Sequence, residues 1–204
     1  MIARIGIFQH LAPEAAAESR RNLVERFLPA LKAQEGFVAG YWLVGADGKR
    51  LSVSVWESEA ALRTGGARAN AVPLLAGQDP ERIPSADVVE LYEVVASVPA
   101  PPDGDEPTLF ARVATYEGTS EQVEHTVRNI QEGGIPALRQ LTDFQGGYWL
   151  ANRAAGKGGN FTLWASEAAL HASAEATERL RERGVLASGV RPANVEAFAV
   201  EERA

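Results

Sequence analysis

Trp56-Glu57-Ser58-Glu59-Ala60-Ala61-Leu62 returns farther along the chain as Trp164-Ala165-Ser166-Glu167-Ala168-Ala169-Leu170. Ahead of each copy stands the same tetrapeptide, Gly-Tyr-Trp-Leu, at Gly40 to Leu43 and again at Gly147 to Leu150. Working outward, Ala3-Arg4-Ile5 matches Ala111-Arg112-Val113, Arg21-Asn22-Leu23 matches Arg128-Asn129-Ile130, Pro29-Ala30-Leu31 matches Pro136-Ala137-Leu138, and Val89-Glu90 matches Val195-Glu196. The matches keep their order at a spacing of about 107 residues, so one structural unit is duplicated. That period exceeds the roughly 20 to 50 residues of solenoid repeats and fits two whole domains.

Each copy reads strand, helix, strand, strand, helix, strand. In the first copy the spans are 2–10, 13–34, 37–45, 50–57, 58–76 and 87–96, and in the second 108–117, 120–141, 144–153, 159–165, 166–183 and 194–202. Local chemistry supports the helices. Pro13 and Glu14 suit a first turn, and Thr119 with Gln122 has capping-box spacing. Ser58 and Ser166 are placed to cap the helices that follow the tryptophans. Leu23, Phe27 and Leu31, and likewise Val123, Val127 and Ile130, form apolar stripes at helical spacing. Pro29 and Pro136 are expected to kink or end the first helix of each copy. Asp47-Gly48 and the Gly156 to Gly159 stretch read as hairpin turns. The latter is not a phosphate loop, because no helix follows it. Domain boundaries follow: repeat one over 1–97, a Pro-rich linker over 98–107 with four prolines between Pro99 and Pro107, and repeat two over 108–204.

The fold class is α+β. A β-α-β-β-α-β unit is a ferredoxin-like arrangement with both helices on one face of an antiparallel sheet. The second strand is apolar on both sides, with Phe37, Ala39, Tyr41 and Leu43 alternating with Val38, Gly40, Trp42 and Val44. A sheet buried on both faces needs a second cover, and the duplicate supplies one. The expectation is two ferredoxin-like repeats packed sheet to sheet as an intrachain α/β barrel with the helices outside.

Composition excludes several classes. The chain has 204 residues, 46% hydrophobic and 23% charged, enough for two small domains. Lacking cysteine, it has no disulfide or thiolate metal site, and three histidines without ligand spacing leave no metal centre. A net charge of -7 without a basic run argues against nucleic acid or an anionic membrane. No run is long enough to span a bilayer, and the opening residues lack the apolar core of a signal peptide. The expected location is cytoplasmic.

The Trp-x-Ser-Glu-x-Ala step from third strand to second helix, on this arrangement, resembles the antibiotic biosynthesis monooxygenase (ABM) family of the dimeric α/β barrel superfamily. Most members of that superfamily form the barrel from two identical chains, so this chain looks like a tandem fusion, a monomeric pseudo-dimer or a homodimer of such chains. The closer resemblance is to anthrone monooxygenases of the actinorhodin type. It implies an oxidoreductase that oxidises an aromatic polyketide-like small molecule with dioxygen, using no cofactor and no metal. The family pattern places an Asn four residues before the third-strand Trp. Asn160 and Trp164 match it, with Thr162 between them on one strand face. The first repeat keeps Trp56 but has Ser52 at the Asn position. A family Tyr six residues after the Trp is replaced by Leu62 and Leu170, and the family's second-helix Arg has no in-register match, with Arg179, Arg181 and Arg183 nearby.

The resemblance thus implies catalytic roles for Asn160 and Trp164, with Trp56, Tyr116, Tyr148, Trp149 and Thr162 binding substrate. A hydroxyanthrone anion held in a dry aromatic pocket presents an electron-rich carbon to dioxygen, and an Asn amide can hydrogen-bond the developing oxyanion. Against this stands core packing, the usual fate of strand aromatics. Arg4 with Glu90, and Arg112 with Glu196, read as buried structural pairs on neighbouring strands. His10, at the end of the first strand, reads as a proton acceptor or a solvated loop residue; His125 and His171 read as exposed. One alternative function is noncatalytic small-ligand binding on the same barrel. A third reading, haem degradation, needs a Trp where this chain has Gly65 and Ser173, and a downstream histidine that it lacks.

Overall fold

The computed structural model describes residues 1–9, 11–80, 83–101 and 108–204. His10 and 102–107, most of the expected linker, lie outside the described residues. The first elements are β1 (Ile2–Phe8), α1 (Pro13–Asn22), a π-helical turn (Leu23–Phe27), α2 (Leu28–Lys32), β2 (Phe37–Gly45), β3 (Arg50–Trp56), α3 (Glu59–Ala71) and β4 (Val88–Val98). There follow β5 (Phe110–Glu117), α4 (Ser120–Asn129), another π-helical turn (Ile130–Gly134), α5 (Ile135–Leu138), β6 (Phe144–Asn152), β7 (Lys157–Trp164), α6 (Glu167–Ala172), α7 (Ala174–Ser188) and β8 (Arg191–Arg203). The protein is α+β. Its described strands pair in a ladder that runs β1-β3-β2 in one part and β8-β5-β7-β6-β4 in another. The registers within it are antiparallel. Two compact units result, Met1–Leu91 with Glu201–Ala204, and Tyr92–Val200. No helix among the described residues is long and apolar enough to cross a membrane.

In the first unit β3 lies between β1 and β2, with Ser54 opposite both Arg4 and Gly40. Period-two alternation puts Ala3, Val53, Val55, Tyr41 and Leu43 on one face, all deeply buried. The opposite face carries Trp56, which packs with Leu31, Leu62 and Ala69 beneath the helices. Ser58 caps α3, its hydroxyl accepting from the Ala61 N–H at 3.1 Å. One expectation is corrected here: Phe37 does not share a face with Ala39 and Tyr41. A bulge between Phe37 and Ala39 sets Phe37 opposite Trp56, and the two rings meet edge to face at 5.3 Å. Val38 is correspondingly exposed.

The second unit repeats these devices. Its bulge lies between Phe144 and Gly146, and Phe144 meets Trp164 edge to face at 5.6 Å. Thr119 and Gln122 form the reciprocal capping box of α4. In both units the proline changes the helix register rather than ending it. A π-helical turn precedes Pro29 and Pro136, with Leu28 N–H bonding to Leu23 O and Ile135 N–H to Ile130 O, and the helix then resumes. The missing proline donor thereby falls where the hydrogen-bond ladder is already being reset. The glycine-rich turn needs Gly156: its φ is +62°, and a Cβ there would lie 2.0 Å from Gly118 O.

Candidate active site

Strand alternation brings the sequence candidates of the second unit other than Tyr148 onto the helix-facing side of its sheet. Arg112 stands opposite Thr162, Ala114 opposite Asn160, and Trp149 opposite Asn160 on the other flank of β7. Above them lie α4, its π-helical turn and α7. Between sheet and helices is a cavity of about 90 Å³. Tyr116, Trp149, Asn160 and Thr162 line it from the sheet, and Arg181 from α7. Four of the seven candidate site residues are thus gathered around one space.

The other three are placed differently. Trp164 is fully buried in a cluster with Leu138, Trp149, Ala169 and Leu170. Its indole N–H donates to Thr162 Oγ1 at 3.2 Å, and the Arg112 guanidinium lies over its ring at 5.7 Å, so Trp164 supports the cavity wall through these two groups. Tyr148 points to the opposite face of β6 from Trp149 and stacks on Phe161 at 5.1 Å. Trp56 belongs to the first unit, where its indole N–H donates to Ser54 Oγ at 3.1 Å.

Arg112 is the most constrained polar group of the site. Only 8% exposed, it donates to Ser173 Oγ at 3.0 Å, Thr177 Oγ1 at 2.7 Å and Leu170 O at 2.5 Å. The expected Arg112–Glu196 pair does not form. The register sets Ala197 opposite Arg112 and Glu196 opposite Val113, so arginine and carboxylate leave opposite faces of the sheet. Nor does Arg4 pair with Glu90: no hydrogen bond or ion pair holds its guanidinium among the described residues.

The electrostatics concern mainly Tyr116. Burial pushes its hydroxyl above the ordinary tyrosine range, while a hydrogen bond with Asn160 and then the charge of Arg181 pull the other way. Tyr116 is therefore protonated near neutral pH and serves as a hydrogen-bonding group rather than a base. Arg112 is pushed down by burial first and by Arg181 second. Arg181 itself pairs with Glu178 on the preceding turn of α7. The cavity thus combines an amide, a phenol, two guanidinium groups and an indole, suited to a planar molecule carrying an oxyanion.

Arg112 and Arg181 also line the cavity, although the sequence offers Arg181 only as one of three nearby candidates and Arg112 only as half of a structural pair. The signal for Arg181 was present: Thr177, Leu180, Arg181, Gly184 and Val185, all lining the cavity, recur at helical spacing along one face of α7. Of the histidines, His125 and His171 are exposed and line no described cavity, while His10 lies outside the described residues.

This geometry defines an α+β protein with a small polar-aromatic cavity between sheet and helices. No family model and no curated protein matches the chain. Solved structures do. An anthrone oxidase-like protein superposes with a TM-score of 0.65 at 15% identity, over 100% of this chain and 92% of that one. A ferredoxin fold protein related to antibiotic biosynthesis monooxygenases, from Listeria monocytogenes 4b F2365, gives 0.53 at 11% identity, covering 98% and 95%. A heme-degrading enzyme from Listeria monocytogenes gives 0.52 at 11% identity, covering 97% and 99%. At these identities the likeness establishes the fold alone.

Proposed function

We propose that the chain is a tandem ABM-type fusion of two ferredoxin-like repeats, and that the cavity of its second unit oxygenates an acidic, anthrone-type aromatic without a cofactor. The observation that supports this most directly is the convergence of Asn160, Tyr116 and Arg181 on one cavity, where an amide and a cation both act on a phenolic oxygen. A bound hydroxyanthrone would place its oxyanion among these groups, with Trp149 against its rings. The enolate carbon attacks dioxygen to give a hydroperoxide. Loss of water then leaves a quinone carbonyl, so one oxygen atom stays in the product, the other leaves as water, and the substrate supplies all the electrons. Trp164 acts by positioning Thr162 and Arg112.

Noncatalytic binding of a ligand smaller than an anthrone is the second reading, favoured by size. The cavity is about 90 Å³, below the ~300–1,000 Å³ usual for sites that enclose a drug-sized ligand. Oxygen uptake by metal-free and flavin-free protein supplied with 1,8-dihydroxyanthrone separates the two. Uptake that saturates with substrate supports oxygenation; a rate no higher than the buffer's, across a panel of polycyclic phenols, leaves binding.

A further inference from the structure

The first unit has a larger cleft than the second, and the reason lies in its sequence. In the second unit α7 continues to Ser188 and lays Leu180, Arg181 and Val185 over the sheet. In the first, α3 stops at Ala71, two residues before Pro73, which lacks the N–H a helix would need and disfavours helical geometry in the residue before it. Arg26 fastens that end, donating to Val72 O at 2.5 Å and to Asn70 O at 3.4 Å. Where α7 covers the second unit, the first has a cavity of about 910 Å³. Its floor is the helix-facing side of β1, β2 and β3, with Arg4, Phe8, Trp42, Ser52 and Ser54.

Arg4 occupies the place of Arg112 in the repeat, but its surroundings differ. Counting from Trp56 and Trp164, the residues nine and thirteen positions on are Gly65 and Ala69 in the first copy, Ser173 and Thr177 in the second. The two hydroxyls that hold Arg112 are therefore missing beside Arg4. Gly65 cannot regain one without displacing Trp56, since a Cβ there would lie 2.4 Å from Trp56 Cζ3. Among the described residues the other guanidinium groups of the cleft are engaged: Arg26 with Asn22, Asn70 and Val72, Arg50 with Glu201 at 2.6 Å, Arg20 with Glu202 at 2.5 Å, and Arg63 with Glu59 at 2.6 Å. Arg4, half-buried and pushed down by desolvation, has no partner among the described residues.

We propose that this cleft is a second ligand site, distinct from the cavity of Asn160, and that it takes an apolar organic carboxylate whose head group pairs with Arg4. A planar guanidinium offers a carboxylate two parallel donors, and a partly desolvated one gains most from such a partner. Among the described residues, the only carboxylate lining the cleft, Glu201, is held by Arg50, so the unpaired charge they leave on the floor is positive. Apolar walls from Phe8, Trp42, Leu31 and Leu62 suit the body of the ligand, and the volume is that of an ordinary small-molecule site.

Calorimetric titration with 2-naphthoate and with its neutral analogue 2-naphthalenemethanol tests this. The wild-type protein should bind the carboxylate at least tenfold more tightly than the alcohol. Arg4→Met should weaken naphthoate at least tenfold and leave the alcohol unchanged, a split that a merely structural role would not produce. A second variant, Ala69→Ser, restores one hydroxyl beside the guanidinium and should weaken naphthoate severalfold with the charge still present. Equal affinity for acid and alcohol, undiminished naphthoate binding in Arg4→Met, or no naphthoate binding at millimolar concentration would each overturn the proposal.

Discussion

Arg112→Ala removes a side chain that ties β5 to α6 and α7. The side chain makes three hydrogen bonds, to Ser173 Oγ, Thr177 Oγ1 and Leu170 O, and covers the Trp164 ring. Bonds from a charged donor contribute about 1.5–3 kcal/mol each, and removal relieves the desolvation of a buried cation, which is worth several kcal/mol. The hydroxyls keep backbone acceptors, Ser173 Oγ with Leu170 O at 2.8 Å and Thr177 Oγ1 with Ser173 O at 2.9 Å, so they are not stranded. The net loss is then about 2–4 kcal/mol, or a fall of roughly 1–2 M in urea midpoint at an m-value near 2 kcal/mol/M. Equilibrium unfolding followed by circular dichroism reads this directly. Glu196→Gln should shift the midpoint far less, because that carboxylate faces away from Arg112. A midpoint unmoved by Arg112→Ala, or an equal fall in both variants, would refute the network as described.

Gly65→Ala should destabilise by about 1–3 kcal/mol through overpacking against Trp56, read as a lower thermal midpoint; an unchanged midpoint would mean that the ring moves aside freely. Tyr116 should ionise above about pH 10 in an alkaline absorbance titration compared with Tyr116→Phe, and Asn160→Ala should raise it further, since that hydrogen bond favours the phenolate. Because Tyr116 holds its proton more tightly folded than unfolded, its contribution to stability is complete below about pH 10 and is lost as pH rises through the folded-state value. A Tyr116 that ionises below 10 would contradict the burial assigned to it.

The duplicated motifs located the strands and helices well because each rests on local chemistry: Ser58 and Ser166 cap, Thr119 boxes with Gln122, and Gly48 and Gly156 turn. Two kinds of information were not local. The bulges at Phe37 and Phe144 change which face a residue occupies, and period-two counting cannot see an inserted residue. The partner of Arg112 depended on inter-strand register, which parity along each strand does not fix. Asn160, Thr162, Tyr116 and Trp149, named from the family resemblance, share a cavity because they lie on one face of adjacent strands. Arg181 stands in sequence only as one of three nearby candidates, because only the path of α7 over the sheet separates it from Arg179 and Arg183, and Ser173 carries no visible role until the arginine beside it is placed. The difference in cavity size between the units was not anticipated: the expected helix 58–76 runs through Pro73, whereas α3 stops at Ala71.

The most direct test of the oxygenation account compares oxygen consumption with 1,8-dihydroxyanthrone in Asn160→Ala and in the matched Ser52→Ala. Asn160 is proposed as an oxyanion donor, so its loss should lower turnover by roughly a hundredfold, as removal of one such donor does. Ser52, which lines the other cleft, should matter much less. Equal losses at the two positions, or full turnover without the Asn160 amide, would contradict the assignment of the chemistry to the second unit.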